Sequence, residues 1–384
     1  MVTAAEAIKV MKEGGKPVIG CLPLYPPLEL IHSMGLAPVV LWGLRDSVSH
    51  TGDADAHIQK YVCSIARHLA QFVMAEGGDS LDGILSYNAC DTLRNLPEIL
   101  REGLAAKGAL TPTPMFRLHV PMTSAAVNGG FLRGELLDLI AALEERYGVR
   151  FSEESFAASV ALYRRARGLS LRLEEAARAG SLSIGAFCGT LARAGFLTVE
   201  DQVELFEAEL ASLRPAAASG PSCAVILSGV MAPLPQVCRL LDGAGLRLVA
   251  NDIASLRRSY AQEPFAFHDV ADYYARFYRD HFPCTTLLHS ADRRLDAVSR
   301  LARDNGARGL IFIGEKFCEY EYFELPHLVA RLQDEGIPSL ALEFSLDDDS
   351  NLETYRTRIE AFAEMLRSSG EKTSESAGGG KSGA

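Results

Sequence analysis

The sequence predicts an α/β protein: two doubly wound, Rossmann-like or flavodoxin-like domains with a helical segment between them. Three observations carry this. Short apolar, β-rich runs alternate with amphipathic helical patterns toward both ends of the chain, as in parallel sheets covered by helices. Residues 129–213 break that alternation with helical periodicity and few strand signals. One local arrangement also occurs twice, an apolar strand followed by a turn holding a cysteine and then a helix. It is Leu81–Tyr87 with Cys90 in the first half and Gly309–Ile313 with Cys318 in the second. Open α/β sheets place ligands at such strand ends.

In order, residues 3–13 read as a short amphipathic helix stopped by Gly14-Gly15, and Pro17–Cys21 as the first strand. Leu22–Pro27 holds three prolines, which remove donors and keep their predecessors extended, so it cannot be helix. Leu28–Gly35 reads as a helix and Ala37–Gly43 as a strand. His57–Ala75 reads as one long helix, with Ile58, Tyr61, Val62, Ile65, Leu69 and Phe72 on one stripe and Cys63 in its first third. The strand at Leu81 leads to Cys90 and a helix from about Leu93, and Met115–Pro121 reads as another strand. These form an N-terminal α/β domain, residues 1–128.

Helical patterns at Leu136–Tyr147, Glu153–Arg178 and Val199–Leu213 make up a segment over 129–220, which ends in the hinge-like run Pro215–Pro221. A C-terminal α/β domain follows over 221–366. Its strands are expected at Cys223–Gly229, Leu246–Ala250, near Leu310 and at Ser339–Glu343, with helices at Pro235–Ala244, about Phe323–Glu335 and Leu352–Leu366. From Arg367 to Ala384, Ser, Gly, Lys and Glu dominate without an apolar face, the composition of a disordered tail.

A hydrophobic content of 48% and a charged content of 23% are those of a soluble globular protein. A net charge of −11 argues against a phosphate-backbone binder, so no nucleic acid partner is expected. No apolar run reaches a membrane span, and the N-terminus has no charged-then-apolar signal, so a cytoplasmic protein is expected. The eight cysteines then read as reduced thiols.

Cys90 and Cys318 lead the candidates for chemistry because they occupy equivalent positions, and Cys63 is the third. Three thiolates converging on one point suit an iron–sulfur cluster or a thiophilic metal. The competing reading makes each a small buried hydrophobe, a common fate of free Cys. Cys188, Cys223 and Cys238 sit in apolar segments and read as core, whereas Cys21 and Cys284 lie beside prolines at strand ends, where they could assist a cluster. There is no GxGxxG or Walker sequence, so nucleotide binding through a standard loop is not expected. Asp347–Asp349 reads as a solvated acidic turn rather than a cation site. Arg164, Arg165, Arg167 and Arg172 could meet a phosphate but read first as a solvated face.

Ala56–Arg67, Cys90–Leu96 and Lys316–Glu319 resemble motifs of the 2-hydroxyacyl-CoA dehydratase family, which includes the dehydratase component D subunits, benzoyl-CoA reductase subunits and double-cubane cluster proteins. Leu325–Leu328 and Gly336–Glu343 extend the resemblance, which runs from about Pro17 to Leu366. It implies that Cys63, Cys90 and Cys318 bind an iron–sulfur cluster between two α/β domains, [4Fe–4S] first and a double cubane as the alternative. It also implies pairing with a homologous subunit, a separate ATP-dependent iron–sulfur activator and an acyl-CoA substrate. The family pattern Phe-Cys-x-Tyr-x-Pro-Glu-Glu is here Leu22–Glu29: Tyr25, Pro27 and Glu29 match, while Pro23 replaces Cys and Leu28 the first Glu. Glu29 and Tyr25 are the expected proton-handling groups. The missing carboxyl makes elimination of water by this subunit alone doubtful. Asn251–Ala254 also departs from the Asp-Asp-x-Cys of many relatives.

Overall fold

The computed structural model describes residues 3–77, 80–108, 113–123, 130–214, 222–287, 291–347 and 351–378. Two four-stranded parallel sheets form its centre. The first takes β1 (Val18–Cys21), β2 (Ala37–Val40), β3 (Gly83–Tyr87) and β4 (Met115–Leu118) in the order β2-β1-β3-β4. The second takes β5 (Cys223–Gly229), β6 (Leu246–Ile253), β7 (Gly309–Glu315) and β8 (Ser339–Phe344) in the equivalent order β6-β5-β7-β8. Every strand pair is parallel, and β1, β3, β5 and β7 are buried along their whole length. Such strands carry near-continuous apolar runs, which is why they stood out. The order gives each sheet a switch point between its two inner strands, β1 and β3 or β5 and β7, where α/β folds leave a crevice.

The helical segment does not stand apart. Its longest helix, Glu153–Arg178, buries Phe156 and Val160 in the first core and Tyr163, Leu169 and Leu173 in the second. The helix Val270–Asp280, which the sequence reading passed over, also crosses the expected boundary at 221: Tyr273, Tyr274, Phe277 and Tyr278 pack into the first core. The helices Ile184–Ala194 and Ala291–Asp304 were likewise missed. The closing helix runs from Leu352 to Gly378, past the Arg367 at which a disordered tail was expected, because extending a formed helix costs far less than starting one. Residues 379–384, the linker 215–221, the boundary at 128/129 and Asp348-Asp349 lie outside the described residues. Among the described residues no helix is long and apolar enough to cross a membrane.

Candidate functional site

The expected long helix over His57–Ala75 is split, and the split creates the site. Residues 57–62 form turns, a helix spans Ser64–Gln71, and a π-helical turn continues from Phe72 to Gly77. Tyr61, placed on the apolar stripe by its spacing, is 68% exposed. Cys63 therefore stands at the N-cap of a helix, not within one. Cys90 caps the helix Asp91–Ala106, with Sγ accepting from the Leu93 N–H at 3.4 Å. Cys318 caps the helix Glu319–Asp334, which begins four residues before the sequence reading had it. Phe317, before it, adopts left-handed backbone with φ 66°, the sharp turn that leads from β7 into that helix. At Gly314 an added Cβ would stand 2.3 Å from the Tyr322 hydroxyl, so the lack of a side chain lets the helix lie close to the strand.

All three cysteines line one cavity of about 380 Å³ at the junction of the two halves, within the usual range for small-molecule sites. Each is partly accessible, toward the cavity it lines. Burial pushes the Cys63 thiol up to about 12, with Glu315 adding to the effect, and raises Cys90 and Cys318 as well. Backbone N–H groups at the three caps work the other way and favour the thiolates. Among the described residues no three ligand side chains come close enough for a single metal ion. Three thiols on one cavity are the donor type that an iron–sulfur cluster takes.

The cavity's other charged wall was not anticipated. Arg258, fully buried, reaches it with Cys284, Thr285, Thr286 and Glu321. Arg258 Nε donates to Asp252 Oδ1 at 2.7 Å, and its Nη1 donates to Glu321 Oε1 at 2.7 Å and to Cys284 Sγ at 3.3 Å. Arg294 backs this arrangement, donating to Asp252 at 2.8 Å and Glu321 at 2.9 Å. Burial alone would raise Glu321, but the two arginines outweigh it and bring its carboxyl down to about 2. Two buried cations against two buried anions leave a fixed, saturated polar surface. Asn251-Asp252 had drawn notice only as a departure from relatives. The six-residue interval from Asp252 to Arg258 was the one local signal.

A clasp holds the Cys63 helix against the strand that leads to Cys318. Glu315, the last residue of β7, accepts from the Ser64 N–H at 2.8 Å and from its hydroxyl at 2.5 Å. Ser64 Oγ accepts from the Leu346 N–H at 2.8 Å, and Arg67 donates to Asp347 at 2.5 Å and to Asp55 at 2.8 Å. Burial pushes Glu315 up to about 7.

Glu29 and Tyr25 are not brought to the cavity. Glu29 is 1% exposed, pairs with Arg167, and accepts from the Tyr273 hydroxyl at 3.0 Å and the Tyr274 hydroxyl at 2.9 Å. Burial would raise its carboxyl, but Arg167 outweighs that and holds it below the usual range. Three of the four arginines that could have met a phosphate are spent within the protein, Arg167 on Glu29, Arg164 on Glu263 and Arg165 on Glu207, and the fourth, Arg172, is exposed. Tyr25 is buried behind the wall against Cys284 and packs against His281 at 4.1 Å between centroids, the rings tilted by 57°. Of the two further thiols, Cys284 reaches the cavity, and Cys21 stays in the core with Sγ toward Ile19 O.

A thiol-lined cavity at the junction of two parallel-sheet halves defines an α/β protein with one composite site. The chain belongs to the 2-hydroxyglutaryl-CoA dehydratase, D-component family, whose model matches residues 23–366. It is 25% identical over 368 residues to the (R)-phenyllactyl-CoA dehydratase beta subunit of Clostridium sporogenes, covering 94% of both chains. It is 25% identical to the beta subunit of the (R)-2-hydroxyglutaryl-CoA dehydratase of Acidaminococcus fermentans, over 92% of this chain and 94% of that one. A benzoyl-CoA reductase subunit of Thauera aromatica is also 25% identical, over 92% of this chain and 91% of that one. These relatives are enzyme subunits, and so is this chain.

Proposed function

We propose that this chain is the iron–sulfur subunit of a cytoplasmic, oxygen-sensitive enzyme that acts on an acyl-CoA or a related unsaturated substrate by low-potential single-electron reduction. Cys63, Cys90 and Cys318 would hold the cluster, [4Fe–4S] first and a double cubane as the alternative. The observation that carries this reading is that three cysteines from distant parts of the chain cap three helices on one cavity. When bound, the cluster supplies the electron. The chain's own groups do the rest: the N-caps favour the thiolates, and the apolar walls exclude water. Arg258 and Thr285 already donate to Asp252 and Glu321, so the donor for an acyl oxygen on this wall would be the Thr286 hydroxyl, whose contact with Cys284 Sγ can run in either direction. A homologous subunit and an ATP-dependent iron–sulfur activator are the proposed partners, in keeping with the absence of a nucleotide loop from the sequence.

The relatives' names span dehydratases and a reductase. Pro23, where the family pattern has Cys, lines the cavity, and a more apolar wall there favours an unsaturated acyl group over a hydroxyl that needs a polar partner. The purified chain without a homologous partner is therefore expected not to convert a 2-hydroxyacyl-CoA to the enoyl-CoA, even with activator, ATP and reductant. The second reading is a partner subunit that only carries electrons. A cavity of about 380 Å³ beside the cysteines supports the enzyme instead, because an electron carrier needs no room for a substrate.

Anaerobic purification with iron, sulfide and EPR analysis is the test. Replacing Cys63, Cys90 or Cys318 by Ser should each lower iron content or change the spectrum. Cys223→Ser, buried in β5 with Sγ toward Ala363 O, should do neither. Unchanged iron and spectrum in all four would overturn the assignment.

A further inference from the structure

We propose that Trp42 sets the size limit of the acyl group, standing between the cysteine-lined cavity and two clefts behind it, one of mixed polarity and one largely apolar. The inference rests on the acyl-CoA reading above. Trp42 is the chain's one tryptophan. It follows β2, is half-buried, and packs against the cores of both halves. It borders three spaces at once: the cysteine-lined cavity of about 380 Å³, a cleft of about 150 Å³ and another of about 190 Å³. Leu24 shares the border between the first two, and Leu191 and Ser255 the border between the last two.

The chemistry of the walls says what would cross that border. The main cavity carries polar groups on both halves, Asp91, Thr92 and Asn95 on the first and Arg258, Thr285 and Glu321 on the second, whereas Trp42 is joined there by the apolar Leu24, Ile58 and Val62. The farthest cleft is walled by Phe196, Met231, Leu234, Leu256 and Leu346. A thioester and its charged carrier have little to gain in such a space, and hydrocarbon does. A dry apolar cavity of about 150 Å³ has room for a benzene ring, so each cleft matches one ring or a short branched chain. The indole is thus a stop for the distal end of the acyl group, and shortening it joins the spaces.

The test measures binding of saturated acyl-CoAs of increasing length, and of a phenylacyl-CoA, to anaerobically purified protein by calorimetry. In the wild type, each added methylene should tighten binding about fourfold until the chain meets Trp42, after which the gain stops. In Trp42→Ala the gain should continue for about three more carbons, tens of fold in all, with Trp42→Phe in between. Gly189 borders the farthest cleft, and open space surrounds its Cβ position, so adding Gly189→Leu to Trp42→Ala should take back part of the gain. Should Trp42→Ala not fold, Leu24→Ala opens the same border and should raise the limit too. Because Trp42 is the sole tryptophan, wild-type emission should also change as the longest bound ligand fills the cavity. A length limit that is the same in wild type, Trp42→Phe and Leu24→Ala, with binding intact, overturns the role of Trp42. So does unchanged emission at saturation. Absence of binding by any acyl-CoA overturns the substrate reading, and this proposal with it.

Discussion

Two buried ionic networks lie one behind the other in this fold, and they do different jobs. Glu29 with Arg167, Tyr273 and Tyr274 ties the short helix after the proline loop to the long bridging helix and to the helix Val270–Asp280. Both oxygens of Glu29 are engaged, and none of these residues lines the main cavity. Arg258 with Asp252, Glu321 and Arg294 is buried as deeply, yet two of its members form the cavity wall. Burial and a shifted pKa are common to both, so neither property identifies a site. What separates them is the space they face: Arg167 borders the cleft of about 150 Å³ behind Trp42, whereas Arg258 and Glu321 border the cavity that holds the three cysteines.

The largest effect should come from breaking the cavity-side network. Arg258→Met leaves Asp252 and Glu321 with one cation between them, and removing one partner of a buried pair costs about 3–5 kcal/mol. Urea denaturation should report that loss, and the double variant Arg258→Met/Glu321→Met should recover a large part of it. A single variant within about 1 kcal/mol of wild type would mean that the network is not held as described.

The rear network should respond differently. Glu29→Gln keeps the shape and removes the charge, leaving Arg167 with Glu263 at 3.3 Å. We expect about 2–3 kcal/mol of lost stability, on the scale of hydrogen bonds to charged groups, with iron content unchanged. Loss of iron with stability intact would move Glu29 from the scaffold to the site and reinstate the sequence-based expectation.

His281 lies between the two networks, packed on Tyr25 and donating from Nδ1 to the Phe282 carbonyl at 2.6 Å. Burial first, then Arg167 and Arg258 together, bring its pKa from 6.5 to about 4. The unfolded chain therefore takes up the proton first. Stability is full above pH 6.5 and falls as the pH drops toward 4. The loss from this group should reach about 2 kcal/mol by about pH 5, at roughly 1.36 kcal/mol per unit. Comparing denaturation midpoints of wild type and His281→Phe at about pH 7 and about pH 5 isolates it. Equal pH slopes in the two proteins would show that His281 is not held neutral between the arginines.

What could be read from the sequence follows the range of the forces involved. Fully buried parallel strands announce themselves as apolar runs, and Cys90 and Cys318 were placed because strand, turn and helix are local. The helix containing Cys63 was misplaced because the stripe Ile58, Tyr61, Val62, Ile65 keeps helical spacing across a region that is turn, and tertiary packing rather than periodicity put Cys63 at the cap. The Arg258 network was missed because Glu321 and Arg294 are distant in sequence and carry no period. Glu29 was singled out by resemblance, which names a residue without saying which way its side chain turns.

The smallest expected effect tests how the two halves of the site are joined. Ser64 makes three hydrogen bonds at the interface: its N–H and hydroxyl donate to Glu315, and its hydroxyl oxygen accepts from Leu346. Ser64→Ala keeps the backbone bond and loses the two through the hydroxyl, which leaves the Leu346 N–H without that acceptor. The cost in global stability should be about 1–2 kcal/mol, since one buried donor loses its partner and the Glu315 carboxyl keeps one of two. The consequence for the site should exceed that figure, because this clasp fixes the helix capped by Cys63 against the strand that leads to Cys318, and nothing equivalent is needed for Cys90, whose helix follows its own strand. Iron should therefore be lost faster to a chelator from Ser64→Ala than from an equally destabilised control, for which Ser159→Ala serves, its hydroxyl bonding Glu29 O in the rear network. If both variants release iron at the wild-type rate, the positions of Cys63 and Cys318 are fixed by core packing alone, and the Glu315 clasp is incidental to the site.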